Sequence, residues 1–169
     1  MSPWAISDWM DFRPIATDPE VMRYINGGIP WDDERIQDFV QRQVQLYEER
    51  GYCRWKLTLK GGSGIAGFCG VGLSEDVPEI GWWLAPRYWG RGLATEAARV
   101  ALRHAFETST IDRFISIVRP ANLASVRVME KIRLAKETEY VKDGVPLLRY
   151  AITRSQYFNR PDSPSHEIY

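Results

Sequence analysis

A phosphate-binding turn is the clearest chemical feature of this 169-residue sequence. The run RYWGRG at 87–92 lies between an apolar strand pattern at 80–85 and a helix pattern that begins near Leu93 or Ala94. Glycine permits positive φ and close approach to a ligand, and the first turn of a helix leaves N–H groups pointing outwards. The pattern therefore predicts a diphosphate-containing cofactor on residues 89–96.

The expected cofactor contacts come from the backbone of the turn and the helix start and from two cations. The backbone contacts are Trp89, Gly90, Gly92, Leu93, Ala94 and Thr95, and the cations are Arg87 and Arg91. A solvated surface position is the alternative for either arginine.

Hydrophobic periodicity and capping residues predict the elements that position this turn. A short helix is expected at 19–25 after Asp18, and a longer one from Asp32 or Asp33 to about Arg50. The remaining elements are strands at 54–59, 65–73, 77–85, 112–118, 134–140 and 145–153, with helices from about 93 and at 125–132.

This order predicts one domain of the α+β, or mixed α/β, class around a mostly antiparallel central sheet. Residues 1–17 show no sustained period, and we interpret them as an atypical segment, either a short edge strand or an irregular arm. We expect the domain to span 18–158 and to be followed by a frayed tail at 159–169.

The two strands before the turn carry further signals. Gly67, Gly70 and Gly72 predict a bulge or a close backbone approach. Trp82 and Trp83 alternate across the sheet, so one should face the core and the other the binding side.

Charge and composition narrow the classes of protein. The 22 basic and 22 acidic residues cancel, so nothing favours nucleic acid or a membrane as a partner. No apolar run reaches the roughly 20 residues of a membrane span, and we see no signal peptide. Cys53 and Cys69 lack metal-type spacing, so we expect reduced thiols rather than a disulfide, no metal and a cytoplasmic protein. Seven Trp and eight Tyr predict a pocket or a homodimer contact.

Four motifs, taken in order, resemble the GNAT superfamily of acetyl-CoA-dependent N-acetyltransferases over about residues 18–153. RxxGxG at 87–92 is similar to its acyl-CoA pyrophosphate loop. DPEVMRY at 18–24, IGWWL at 80–84 and NLASVRVMEK at 122–131 resemble the RimJ/RimL-like branch, which acetylates ribosomal-protein N-termini. The resemblance implies acetyl-CoA as the cofactor and a GNAT-like fold of about six strands with helices on both faces.

The chain departs from the family pattern at three places. Family members begin with a strand and a longer first helix, for which residues 1–17 are too short. The first strand would be lost, rebuilt from residues 4–13, or supplied by a partner chain. Arg133 and Leu134 replace the usual Gly-Phe or Gly-Met, and Met129 stands where many members carry Tyr.

N-acetylation requires a neutral amine, so a general base helps. Glu79, at the start of the strand that leads to the turn, is the candidate base, acting through water. The alternative is an exposed carboxylate at a strand end, and Glu75 and Asp76 are weaker candidates for the base.

The thioester carbonyl needs a hydrogen-bond donor, and the thiolate needs an acid. The resemblance implies a backbone N–H in the strand end from Trp83 and Leu84 to Ala85 as the carbonyl donor. Ser125 is the candidate acid, with Asn122 positioning the cofactor arm. Helix capping is the alternative role for both residues.

The expected activity is acetyl transfer to a primary amine on a protein N-terminus or a small molecule. A non-catalytic acyl-CoA sensor on the same fold is the alternative. A dinucleotide enzyme is disfavoured because the glycines at 90 and 92 are not followed by a third. The Rossmann fold also needs alternating strands and helices before the turn.

Overall fold

The computed structural model describes residues 1–62, 64–74 and 76–159. Glu75 and most of the predicted tail therefore lie outside the described residues. The helices are α1 (Trp9–Ala16), α2 (Pro19–Met22), α3 (Asp33–Arg50), α4 (Leu93–Thr108), α5 (Leu123–Lys131) and α6 (Arg154–Phe158). The strands are β1 (Arg54–Leu57), β2 (Gly67–Ser74), β3 (Val77–Leu84), β4 (Arg113–Val118), β5 (Ala135–Lys142) and β6 (Val145–Thr153).

The strands form one six-stranded sheet in the order β1-β2-β3-β4-β6-β5. All neighbouring pairs are antiparallel except β3 and β4, which run parallel. The parallel pair shares one register pair, Glu79 with Ile115, and the two strands then diverge. The predicted α+β class with a mostly antiparallel sheet is confirmed, and the divergence opens the sheet at its centre.

Helices cover both faces of the sheet, as the resemblance implied. On one face, Phe12 of α1 and Phe39 of α3 contact the rings of Phe68 and Trp83. On the other face, α4 packs on β2 and β3. The small side chains of α4 allow a close approach to the sheet, and its buried residues are Thr95, Ala98, Ala101, Leu102, Ala105 and Phe106.

The N-terminal segment is largely helical, so the prediction of an edge strand or an irregular arm is wrong. A 3-10 turn at Ile6–Asp8 leads into α1. Phe12, Ile15 and Ala16 are buried at helical spacing. This stripe covers little more than one turn and is interrupted by Pro14, so its period does not stand out in the sequence.

The first residues attach to the free edge of β1. Ser2 and Lys56 exchange two backbone hydrogen bonds of 3.1 Å, and the indole Nε1 of Trp4 donates to the carbonyl oxygen of Arg54. Lys56 also pairs with Asp8 at 2.5 Å. Within the described residues, the edge of β1 therefore pairs through a single bridge at Ser2, and residues 4–13 do not rebuild a strand.

Capping residues set the ends of the early helices as the sequence predicts. Asp18 caps α2, Asp32 caps α3, and Gly51 ends α3 at φ 73°. The expected end of the short helix at 25 is wrong, because α2 stops at Met22 and the chain turns there.

Two glycines of β2 lie where other strands approach too closely for a side chain. A Cβ at Gly67 would lie 2.0 Å from the carbonyl oxygen of Trp83, and one at Gly70 would lie 2.1 Å from that of Cys53. Both positions have φ near +154°, a conformation that L side chains rarely adopt. Of the two readings of this strand, close backbone approach is confirmed at Gly67 and Gly70.

Replacing Gly70→Ala should lower the free energy of unfolding by about 1–3 kcal/mol, because β1 must move to admit the methyl group. The measurement is the midpoint of urea unfolding. Gly62→Ala is the matched control, since its Cβ would meet Leu59 at an ordinary 3.5 Å. Equal midpoints for the two variants would contradict the close approach.

Candidate functional site

Two cavities meet where β3 and β4 diverge. One, of about 430 Å³, is lined by residues that include Trp31, Arg54 and Glu79, and we call it the inner cavity. The other, of about 500 Å³, is lined by the turn after β3, and we call it the loop groove. The residues that line both are Tyr24, Ile25, Trp82, Trp83, Asn122 and Ser125. A ligand in the loop groove therefore has a route through the sheet to the inner cavity.

The turn after β3 builds the loop groove with exposed backbone. Gly90 and Gly92 have φ of 71° and 78°, and Gly92 is the N-cap of α4 without a side-chain cap. The N–H groups of the first turn of α4 are consequently left for a ligand. The predicted backbone residues Trp89, Gly90, Gly92, Leu93, Ala94 and Thr95 all line this groove.

Arg87 and Arg91 are exposed and lie outside the lining of the loop groove. Their guanidinium groups lie 4.9 Å and 5.9 Å from the centre of the Tyr88 ring. This position matches the surface alternative, and phosphate contact by either arginine stays a prediction.

Three other cations line the loop groove, and sequence reasoning missed them. Arg23 follows α2, and Arg127 and Lys131 lie four residues apart on α5. With Glu20 as the one acid of the described lining, the charged side chains sum to three positive and one negative, a net charge of +2. The sequence signal that was missed is the spacing of Ala124, Arg127 and Lys131, which are three and four residues apart. In a helix this spacing places the three side chains on one face, here the groove side of α5.

Aromatic side chains form the walls of the inner cavity. The rings of Trp31 and Trp83 lie 4.6 Å apart, and Phe68 lies 5.0 Å from Trp83. The indole Nε1 of Trp31 is buried without a hydrogen-bond partner within the described ranges. Trp82 and Trp83 are both half-buried and line both cavities, so the predicted division between core and binding side is wrong.

Glu79 lies inside the inner cavity, and its side chain is only 18% exposed, so the alternative of an exposed carboxylate is wrong. Its Oε2 lies 2.7 Å from Nη2 of Arg54, which comes from β1, two strands away. The guanidinium group of Arg54 lies over a glycine of β2 and a glycine of β3, which have no side chains to block it. A Cβ at Gly72 would lie 2.8 Å from Cζ of Arg54, and one at Gly81 would lie 3.7 Å from Nε.

Burial is the largest influence on Glu79 and raises the pKa of its carboxyl group above the ordinary value. The positive charge of Arg54 and the backbone N–H of Ile117 act in the opposite direction. Ile117 belongs to β4, so this influence acts from across the point where β3 and β4 diverge. Of the weaker base candidates, Asp76 is exposed outside both cavities, and Glu75 lies outside the described residues.

Asn122 and Ser125 begin α5 at the junction of the two cavities. The side-chain oxygen of Asn122 accepts the backbone N–H of Ser125 at 3.2 Å, so Asn122 is the helix cap. The hydroxyl of Ser125 is half-buried and makes no hydrogen bond within the part of the chain that the structure describes. It is therefore able to donate to a ligand at the junction.

One backbone N–H in the predicted strand end faces the gap. The N–H of Ala85 donates to the carbonyl oxygen of Ala66 at 2.9 Å, towards β2. Because alternate residues of an antiparallel strand direct N–H groups to the same neighbour, Trp83 also points to β2. Leu84 points to the side from which β4 has diverged. Of the three residues whose backbone N–H could donate to the thioester carbonyl, Trp83, Leu84 and Ala85, only Leu84 is left as the candidate.

No helix among residues 1–62, 64–74 and 76–159 has the length and apolar character needed to cross a membrane. The same ranges contain no group of three or more His, Cys, Asp or Glu residues placed to hold a metal ion.

Comparison with known proteins identifies a family. The family described as "Acetyltransferase (GNAT) domain" matches residues 1–135. The uncharacterized protein YkkB of Bacillus subtilis is 30% identical over 143 residues, which cover 82% of each chain. The "FsC-acetyl coenzyme A-N(2)-transacetylase" of Aspergillus fumigatus is also 30% identical, over 89% of this chain and 71% of that protein.

Solved structures agree with this match. A GNAT-family acetyltransferase from Bacillus anthracis is 27% identical, with a TM-score of 0.76 over 90% of this chain and 93% of that one. RimL, a ribosomal L7/L12 α-N-protein acetyltransferase solved with coenzyme A, has a TM-score of 0.76 and covers 92% and 93%. AAC(6')-Ib with ribostamycin and coenzyme A has a TM-score of 0.74 and covers 98% and 96%. The last two are 18% identical, so their likeness shows the fold alone, and the RimJ/RimL-like branch stays a prediction.

Replacing Arg54→Met should raise the pKa of Glu79 further, because the change removes the nearest positive charge and leaves the burial. The measurement is an NMR titration of the side-chain carboxyl carbons. Glu137 is the internal control, since Arg113 and Arg149 lower the pKa of its carboxyl group on the sheet edge far from β1. An unchanged titration of Glu79 would show that Arg54 does not act on it.

Proposed function

The chain belongs to the GNAT acetyltransferase family, and we propose that it moves the acetyl group of acetyl-CoA to a primary amine by direct attack on the thioester. The observation that carries this proposal is the junction of the two cavities between β3 and β4. Cofactor and amine would enter from opposite sides and meet there.

The loop groove fits coenzyme A, whose phosphates are anionic. The uncapped N-terminus of α4 offers N–H groups, and the charged lining carries a net charge of +2. Backbone N–H groups from Trp89 to Thr95 would bind the diphosphate, while Arg23, Arg127 and Lys131 would add positive charge. Bound in this way, coenzyme A supplies an acetyl thioester to the junction.

Glu79 would accept the proton of the attacking amine through water. A base works best when its pKa lies near the working pH, and burial moves Glu79 in that direction. Arg54 would hold the carboxylate in one orientation through the 2.7 Å contact. Glu79 thus takes the reacting role, and Arg54 is a positioning residue.

The transfer forms the bond from the amine nitrogen to the acetyl carbon and breaks the bond from that carbon to sulfur. The N–H of Leu84 would donate to the acetyl oxygen as negative charge develops there. Ser125 would donate a hydrogen bond to the leaving thiolate, which then takes up one proton. The buried Met129, which stands where many members carry Tyr, has no proton to donate, and Ser125 is the proposed donor.

The two cysteines are excluded as nucleophiles by their burial. Burial raises the pKa of Cys53 to about 12 and raises that of Cys69 as well, so neither forms a thiolate near neutral pH. Both thiols are free, which supports the proposed cytoplasmic location. The homodimer stays a prediction.

Ser125→Ala should impair turnover, whereas Arg127→Gln should impair acetyl-CoA binding. Loss of the hydroxyl should lower kcat by about tenfold or more and leave the Kd for acetyl-CoA unchanged, because a donor to the leaving group acts in the transition state. Loss of the cation should weaken acetyl-CoA binding, most strongly at low salt.

Calorimetry with acetyl-CoA and steady-state release of free thiol measure the two effects. Ser7→Ala and Arg103→Gln are controls on the exposed surface outside both cavities. Wild-type protein that binds no acetyl-CoA at high micromolar concentration would contradict the proposed function. An unchanged kcat in Ser125→Ala would show that Ser125 does not act as the acid.

Glu79→Gln should remove the rise of kcat with pH on the acidic side of the pH–rate profile. The base works when ionised, so the wild-type rate should rise as pH increases through the pKa of Glu79, above the ordinary glutamate value. The measurement is kcat against pH under saturating acetyl-CoA. A rise that persists unchanged in Glu79→Gln would assign the proton transfer to another group.

A further inference from the structure

The charged side chains of the inner cavity are mostly cations. Arg54 and Glu79 form an ion pair and cancel. Arg119 and Lys142 are the other two charged side chains of the described lining, and both are cations. Glu79 is the only carboxylate of this lining within the described ranges. The cavity that should receive the amine thus offers little attraction to a molecule with several positive charges.

Arg119 lies directly beside the proposed reaction centre. It follows the last residue of β4, and its carbonyl oxygen accepts the backbone N–H of Asn122 at 2.9 Å, which fixes the turn into α5. Its side chain is half-buried and makes no ion pair or side-chain hydrogen bond within the described part of the chain. A guanidinium in this setting is a ready partner for an anion, because its planar fork matches a carboxylate.

The remaining features of the cavity agree with a small ligand that has an acceptor group and an apolar body. The Nε1 of Trp31 is a donor for which the described residues supply no acceptor. The rings of Phe39, Phe68 and Trp83 provide an apolar wall. The volume of about 430 Å³ lies in the range of small-molecule sites.

Building on the proposed function, we propose that the amine acceptor is an α-amino carboxylic acid with an apolar or aromatic side chain, whose carboxylate binds Arg119. Arg119 lies three residues before Asn122 and six before Ser125, so the anion and the reacting amine should be close together. The cations that line the inner cavity make it unsuitable for an acceptor with several positive charges. AAC(6')-Ib shares the fold and is solved with ribostamycin, an aminoglycoside.

Binding can be measured without turnover. Tryptophans 31, 82 and 83 line the cavity, so their fluorescence should report an occupant. The probes are N-acetyl-L-phenylalanine and its amide, added to protein saturated with coenzyme A. We expect the carboxylate probe to change the emission and to bind about tenfold or more tightly than the amide, as a charge-assisted pair requires. Equal binding of the two probes would overturn the proposal.

The same contrast should appear in acetyl transfer. With rates corrected for the fraction of neutral amine, kcat/KM for L-phenylalanine should exceed that for L-phenylalaninamide by about tenfold or more. Arg119→Gln should lower kcat/KM for L-phenylalanine, mainly through KM, and so remove this preference. Arg119→Lys should restore part of the preference, and Arg103→Gln should keep all of it.

The outcomes separate this inference from the proposed function. Acetylation of L-phenylalaninamide or ribostamycin in preference to L-phenylalanine would keep the acetyltransferase and overturn the amino-acid acceptor. A carboxylate preference that survives in Arg119→Gln would also overturn the role of Arg119. Acetyl-CoA binding without transfer to any of these amines, together with carboxylate-selective fluorescence, would support the binding site and contradict the proposed reaction.

Discussion

The ion pair between Arg54 and Glu79 is the interaction on which the centre of the molecule depends. Two charges in a largely buried position need close pairing and further hydrogen bonds, since either charge alone would be strongly destabilising. The Nη2 of Arg54 donates to the carboxylate at 2.7 Å, and the residues under the guanidinium are Gly72 and Gly81. The pair thus explains why these two strands carry glycine where a half-buried sheet would favour larger residues. It also links β1 to β3 beside the point where the sheet opens.

Local signals explain how much of the fold was predictable. Asp18, Asp32 and Gly51 act within a few residues of their own position, so the helix ends that they set can be read from the sequence. The turn with Gly90 and Gly92 is equally local. Helix α1 was missed because its burial comes from packing against α3 and the sheet, which a short stretch of sequence does not encode.

In the candidate site, too, the residues with local sequence signals were predicted, and those brought in from distant parts of the chain were missed. Asn122 and Ser125 were predicted from their motif and Glu79 from its place at the start of a strand, and the structure brings all three to the inner cavity. The partner of Glu79 is 25 residues away in the chain and two strands away in the sheet, so no spacing rule points to it. The cations of the loop groove come from the end of α2 and from α5, and the helical spacing of Arg127 and Lys131 is the one sequence signal that pointed to any of them. The arginines closest to the turn in sequence, by contrast, lie over Tyr88.

The side chain of Trp89 has a consequence for how binding and chemistry are connected. Its Nε1 donates to the carbonyl oxygen of Leu84 at 2.7 Å. In a strand, the C=O and N–H of one residue point to the same side, so the indole occupies one of the two backbone groups of Leu84 there and leaves the other. The turn that should hold the phosphates is therefore fastened to the residue that should polarise the thioester. Movement of one would shift the other, so a cofactor that orders the turn would also fix the direction of the donor.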